Sequence, residues 1–227
     1  MRRRRGLTLL IWLSGSLVFI ILILISIVII FNSYAGIISK GIPIQTYKES
    51  RSALLVIDIQ EATTGEYSEH TYYRENSDSL IEITNIVAEN FRNHKQPVIL
   101  VRSVISNPLI NLINDTYAKG QPGVNFDRRL RISSNYELEK SVSDAFRNTT
   151  LDNILIKNQV NHLYIAGLDA AECINATADA AKNRNYIISI IEDAVISRSE
   201  KLTDSMMISF RNRGIEIIKS DRIIFGE

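Results

Sequence analysis

From residue 51 onward the chain alternates short, near-continuous apolar runs with longer segments of helical period, and few folds accommodate that alternation. The runs fall at residues 53–59, 97–101, 162–167, 186–191 and 215–218. Each has strand length and is apolar on both faces, which a strand tolerates only when it is covered from both sides. Between them, residues 78–94 place Leu80, Ile81, Ile83, Ile86, Val87 and Phe91 on one broad helical face, with Ser77 or Asp78 as the N-cap. Residues 151–160, 171–184 and 200–213 read as further helices. The pattern predicts an α/β domain of three αβα layers around a doubly wound, mostly parallel sheet. Ligands of such sheets sit beyond the carboxyl ends of the strands, so residues at those ends are the first candidates for function.

The leader reads differently. Arg2, Arg3, Arg4 and Arg5 precede residues 7–31, which are apolar and carry no charge. About 20 apolar residues cross a bilayer as a helix, whereas the hydrophobic part of a cleavable signal is about 7–15 residues. The run therefore predicts an uncleaved transmembrane anchor. Ser33-Tyr34-Ala35 before Gly36 is a small-x-small site, so cleavage there and a secreted product is the alternative, decided by the N-terminus of the mature protein. The arginine cluster would hold residues 1–6 in the cytoplasm and send everything beyond residue 31 to the outer face, a single-pass topology. Residues 32–50, with Gly36, Gly41 and Pro43 and no sustained period, read as a linker, and residues 51–227 as the domain.

Charge and cysteine content exclude several functions. Lys plus Arg (26) nearly balance Asp plus Glu (25), and no basic stripe interrupts the domain, so nucleic acid is not an expected partner. A single cysteine forms no internal disulfide and no CxxC zinc pair. His70, His94 and His162 are far apart and in no HxxxH or DxH arrangement, so neither a metal nor another cofactor is expected. His94 reads as a partner for the negative end of a helix. Tyr67, Tyr72 and Tyr73 would form either a lid or a half-exposed aromatic loop.

That cysteine, Cys173, follows the run at 162–167 and opens an alanine-rich helix. Free N–H groups and the positive dipole end in a helix's first turn favour thiolate over thiol, which would make the residue a nucleophile. The alternative is a buried cysteine acting as a small hydrophobe. Asp58 stands where the first strand leaves the core, either as a turn-forming residue or as a buried carboxylate that needs a partner. Lys140 follows the irregular stretch 107–135; a lone lysine is ordinarily a solvated one.

Taken together, these segments resemble the isochorismatase-like cysteine hydrolases, which include nicotinamidases and N-carbamoylsarcosine amidases. Leu54-Leu55-Val56-Ile57-Asp58-Ile59-Gln60 is similar to the family's strand-plus-aspartate opening. Lys140-Ser141-Val142-Ser143-Asp144-Ala145-Phe146 is similar to its lysine segment. Ala166-Gly167-Leu168-Asp169-Ala170-Ala171-Glu172-Cys173-Ile174 is similar to its glycine-to-cysteine elbow, and Glu192-Asp193-Ala194 to the acidic end of the next strand. The resemblance implies a triad of Asp58 as general base, Lys140 as charge partner and Cys173 as nucleophile. It also implies a cis Leu168–Asp169 peptide and an oxyanion hole built from the N–H groups of Asp169 and Cys173.

Departures narrow the expectation. Ala170 and Ala171 replace a frequent threonine and aspartate at the elbow. Residues 61–70 lack the DxH of the metal-holding nicotinamidases, and the vinyl-ether-cleaving isochorismatases lack the cysteine that this chain has. The expected function is a membrane-anchored cysteine hydrolase that cleaves a small amide, ureide or similar C–N bond through a thioester. The rival is an inactive binding or scaffold module on the membrane, motivated by the two alanines. Expected partners are a small-molecule substrate, the membrane through the N-terminal helix and, because relatives commonly pair, a second copy of the chain.

Overall fold

A computed structural model describes residues 2–112 and 114–225. It contains helix α1 (Arg2–Ala35) and then β1 (Arg51–Ile57), α2 (Thr71–Asn93), β2 (Val98–Ser103), the short α3 (Pro108–Asn111), β3 (Tyr136–Lys140), α4 (Leu151–Lys157), β4 (Val160–Gly167), α5 (Cys173–Asn183), β5 (Ile187–Val195), α6 (Glu200–Asn212) and β6 (Glu216–Ile218). The strands form one sheet in the order β3-β2-β1-β4-β5-β6, and every neighbouring pair is parallel.

Residues along β1 alternate between two cores. Ala53, Leu55 and Ile57 pack with Leu151 and Leu155 of α4, Ile174 and Ala178 of α5 and Phe210 of α6. Leu54 and Val56 face Leu80, Ile81, Val87 and Phe91 of α2. Burial on both sides is why these strands are apolar at successive positions. The strand order reverses direction between β1 and β4, and this switch point opens a crevice at their carboxyl ends.

Three elements differ from the sequence reading. α2 begins at Thr71, so Ser77 and Asp78 lie inside it: Ser77 is buried, its hydroxyl donating to the Arg74 carbonyl at 2.9 Å, and Asp78 pairs with Arg129. The first turn holds because Tyr73 is buried, while His70 at the N-cap offers no side-chain bond. α4 stops at Lys157 because Gln159 (φ 56°) turns the chain into β4. β3 lacks the apolar run that marks the other strands. It is an edge strand that buries only Leu138 and Lys140 and turns Glu137 and Glu139 outward, so its pattern is alternating and charged.

The stretch read as a linker lies against the domain. Ile38 and Ile44 pack on the core, the Ser39 N–H donates to Asp144 Oδ2 at 2.8 Å, and the Ile44 N–H donates to the Arg184 carbonyl at 2.9 Å. Ahead of it, the segment Ser14–Ala35 of α1 is long and apolar enough to cross a membrane and no residue of its apolar window is fully buried, a composition shared by membrane anchors and signal sequences.

Candidate active site

Register brings the candidates together. Ile57 lies opposite Gly167, so the exits of β1 and β4 are adjacent, and Ser103 at the end of β2 lies opposite Lys140 at the end of β3. Strands are spaced about 4.8 Å apart, so a side chain from β3 meets β1 only by passing over the end of β2. Lysine is long enough. The Lys140 Nζ donates to Asp58 Oδ2 at 2.8 Å, to Ser103 Oγ at 2.7 Å and to Cys173 Sγ at 3.1 Å. An ammonium has three protons to donate, and here each has an acceptor. The Lys140 side chain has no solvent exposure at all.

Asp58 is held at the turn by its backbone. Its φ of 55° is in the left-handed region, which Asp enters more readily than most residues. The Thr63 hydroxyl donates to the Asp58 carbonyl, and the Asp58 N–H donates to the Val101 carbonyl at 2.8 Å. The Gln60 side chain accepts from the Ser103 N–H at 2.7 Å and donates to the Ser103 carbonyl at 3.1 Å. Ser103 is thereby fixed where its hydroxyl donates to Asp58 Oδ1 at 3.1 Å while accepting from Lys140.

The elbow after β4 is as tightly determined. Gly167 has φ 116°, and a Cβ there would lie 2.0 Å from the Ile57 carbonyl oxygen, so only glycine lets β4 approach β1 this closely. The Leu168–Asp169 peptide is cis. The Asp169 carboxylate turns into the fold and accepts from Tyr73 Oη, Ser197 Oγ and, at 2.7 Å, the Ala171 N–H, with Arg198 Nε 3.5 Å away. Among the described residues, neither the Asp169 N–H nor the Cys173 N–H donates a hydrogen bond, so both remain free at the cleft. Thr177 of α5 accepts from the Ala145 N–H at 3.1 Å, tying the cysteine helix to the segment after Lys140.

Burial, followed by the Asp58 carboxylate, pushes the Cys173 thiol up to about 12, and the Lys140 ammonium offsets this only in part. Burial and the Asp58 charge thus oppose the thiolate that the helix N-terminus favours, and they favour a proton on sulfur beside that carboxylate. Burial alone would lower Lys140, but the charges of Asp58 and Cys173 outweigh it and hold the ammonium well above the usual lysine range. The Tyr117 phenol is likewise raised, first by burial and then by Asp58.

These groups lie on a cleft of about 620 Å³ that is also lined by Tyr73, Tyr117, Ile105, Glu172 and Arg198. Asp58, Lys140 and Cys173, which the family resemblance groups together, lie in contact here, and Lys140 is buried where a lone lysine would be solvated. Sequence reasoning missed Ser103, although its place at the end of β2 satisfies the strand-end rule applied to Asp58. It also missed Tyr117, which belongs to a loop without periodicity and had no signal. Of the tyrosines weighed as a lid, Tyr73 is buried in the cleft wall and Tyr67 is half-exposed. His94 caps α2, with its Nδ1 2.8 Å from the Asn90 carbonyl. No group of three His, Cys, Asp or Glu side chains among the described residues is arranged to hold a metal ion.

A parallel αβα sheet with a cysteine, a lysine and an aspartate converging at its switch point is a hydrolase-type architecture. The isochorismatase domain model matches residues 52–222, most of the chain, and the protein belongs to that family. It is similar to the solved N-carbamoylsarcosine amidase from Thermoplasma acidophilum, with 30% identity and a TM-score of 0.67, covering 77% of this chain and 99% of that one. A cysteine hydrolase from Pseudomonas syringae pv. phaseolicola 1448A shares the fold at 17% identity and a TM-score of 0.67, over 81% of this chain and 95% of that one. The uncharacterized isochorismatase family protein YddQ of Bacillus subtilis (strain 168) is 24% identical over 157 residues, 69% of this chain and 83% of YddQ.

Proposed function

We propose that this protein is a membrane-anchored cysteine hydrolase that cleaves a small amide, ureide or related C–N bond. The observation that carries the reading is the single ammonium of Lys140, 2.8 Å from Asp58 and 3.1 Å from Cys173. Asp58 takes the thiol proton as Sγ attacks the carbonyl carbon, and the oxyanion that forms accepts from the free N–H groups of Asp169 and Cys173. The intermediate collapses as Asp58 returns the proton to the departing nitrogen, leaving a thioester on Cys173. Asp58 then deprotonates a water that attacks the thioester, and the acid leaves as the thiol is restored. Lys140 keeps its protons throughout and balances whichever of sulfur, carboxylate or oxyanion carries the charge.

The likeness to a protein named N-carbamoylsarcosine amidase supports a ureide or amide substrate, as does a cysteine in the nucleophile position. The apolar Ser14–Ala35 segment and the arginines before it support an anchor with the domain on the outer face. The test is nitrogen release from a panel of amides and ureides by the full chain in detergent. Turnover lost in Cys173→Ala, together with an acyl mass added to Cys173 during turnover, is the expected result. Equal turnover in the variant would overturn the mechanism. The alanines Ala170 and Ala171 favour the rival, a non-catalytic module, for which no panel member would be cleaved and a ligand would still protect Cys173 from alkylation.

A further inference from the structure

The cleft is not walled by the domain alone. Phe31 and Ala35 of α1, and Gly36 just after it, line it beside Ile105 and Val142. The helix end is clamped there. The Arg147 guanidinium lies 3.9 Å from the centre of the Tyr34 ring and donates to the carbonyls of Tyr34 and Ile37. The next residues are tied down through Ser39, whose carbonyl accepts from Arg184 at 3.3 Å and from Asn183 at 3.1 Å. α1 also touches α3, where Leu109 is 48% exposed and the adjacent Leu112 77% exposed.

The membrane-competent stretch is Ser14–Ala35, 22 residues. About 20 residues at about 1.5 Å each cross the hydrocarbon. The charge-free run 7–31 and the stretch Ser14–Ala35 end about one turn apart, so the last turn of α1, which lines the cleft, lies at or within a turn of the membrane boundary, where Tyr34 also suits the interfacial belt. Exposed leucines on a short helix touching α1 at that level are covered if the same bilayer covers them.

We propose that the cleft opens along the membrane surface, with α3 resting in the interface, and that the substrate is an amide or ureide bearing an apolar chain. Its head reaches Cys173 and its chain runs out past Ile105, Ala35 and Phe31 toward the lipid. The substrate class rests on the hydrolase reading above, and the orientation rests on the anchor reading.

The test uses the full chain in phosphatidylcholine–phosphatidylglycerol vesicles, with dibrominated phosphatidylcholine as quencher. Trp12, the chain's one tryptophan, reports the anchor, and a Trp12→Phe, Leu109→Trp double variant reports α3. Loss of emission from both is expected. Quenching of Trp12 without quenching at position 109 overturns the orientation, and unquenched Trp12 overturns the anchor and the orientation together. In the same vesicles, kcat/KM should rise at least about ten-fold from butanamide to dodecanamide, given the gain on burying each added methylene. Ala35→Trp should cut that ratio at least about three-fold by filling the chain's path, an effect that partitioning into lipid alone does not produce. An unchanged ratio overturns the substrate class. No turnover of any amide in the series or of any ureide carrying the same chains overturns the hydrolase reading and the substrate class, while quenching still decides the orientation.

Discussion

Two carboxylates are buried to nearly the same degree, Asp127 at 2% exposure and Asp58 at 4%, and their surroundings are opposite. Asp127 is saturated by its own loop and the one beside it. Arg129 Nε and the Arg129 N–H donate to Oδ1, both at 2.9 Å, and Arg129 Nη2 and Thr64 Oγ1 donate to Oδ2, both at 2.7 Å. Burial pushes this carboxyl up, but the Arg129 and Thr64 bonds more than compensate and hold it below the usual range. Asp58 accepts from the Lys140 ammonium and the Ser103 hydroxyl and lies beside the Cys173 thiol, with which it shares that ammonium. A guanidinium fork fills a carboxylate's lone pairs and leaves it inert, whereas a point charge shared three ways leaves it able to accept a proton. The contrast separates a carboxylate saturated within the fold from the one we propose as the general base.

The comparison fails first if the thiol is not the centre of the second site. Cys173→Ser should lower kcat on a cleaved amide by roughly 10⁴-fold or more, as loss of a nucleophile does elsewhere, while the thermal midpoint stays close to wild type. Retained turnover would show that Asp58 serves some other group. Next in size, Asp58→Ala leaves the Lys140 ammonium buried without its carboxylate and should cost about 3–5 kcal/mol in urea unfolding. A neutral result would mean that Lys140 is repaired by water and the pair is not structural.

Asp127→Asn should cost less, about 1–3 kcal/mol at neutral pH, with turnover retained. Its pH dependence gives the sign. The native carboxyl lies below its unfolded value of about 3.9, so its contribution is complete above that pH and disappears as pH falls through the native value. The stability gap between wild type and variant should therefore narrow below about pH 4. A constant gap would remove the charge from the account of Asp127.

The smallest effect is on thiol reactivity. With Cys173 pushed up to about 12, alkylation should be slow at neutral pH and show no inflection between pH 5 and about 9. Asp58→Asn removes one raising influence, so its alkylation at pH 9 should quicken by up to about ten-fold even as turnover falls. An inflection near neutrality in wild type would restore the thiolate that the helix N-terminus alone suggests.

Sequence reading succeeds wherever one periodic signal controls structure. The apolar strands β1, β2, β4 and β5, the alanine face of α5 and the apolar N-terminal helix are visible because each carries a continuous apolar surface. β3 escaped because an edge strand needs one buried face only, and Glu137 and Glu139 mask it. The start of α2 escaped because its first turn is anchored by Tyr73 reaching Asp169, a residue nearly a hundred positions away. Ser103 carried a usable signal at a strand end, whereas Tyr117 carried none.

What this chain states unaided is its local chemistry: which apolar and amphipathic segments are strands and helices, that a glycine closes the strand ahead of the cysteine, and that an aspartate closes the first strand. Strand order belongs to the tertiary structure, because parallel pairing depends on how helices cross over the sheet and not on any residue in the strands. That order alone places Lys140 across the end of β2, within reach of Asp58 and Cys173, and seats the last turn of α1 against the cleft. Contacts between residues distant in the chain are fixed by packing, and packing is a property of the whole fold.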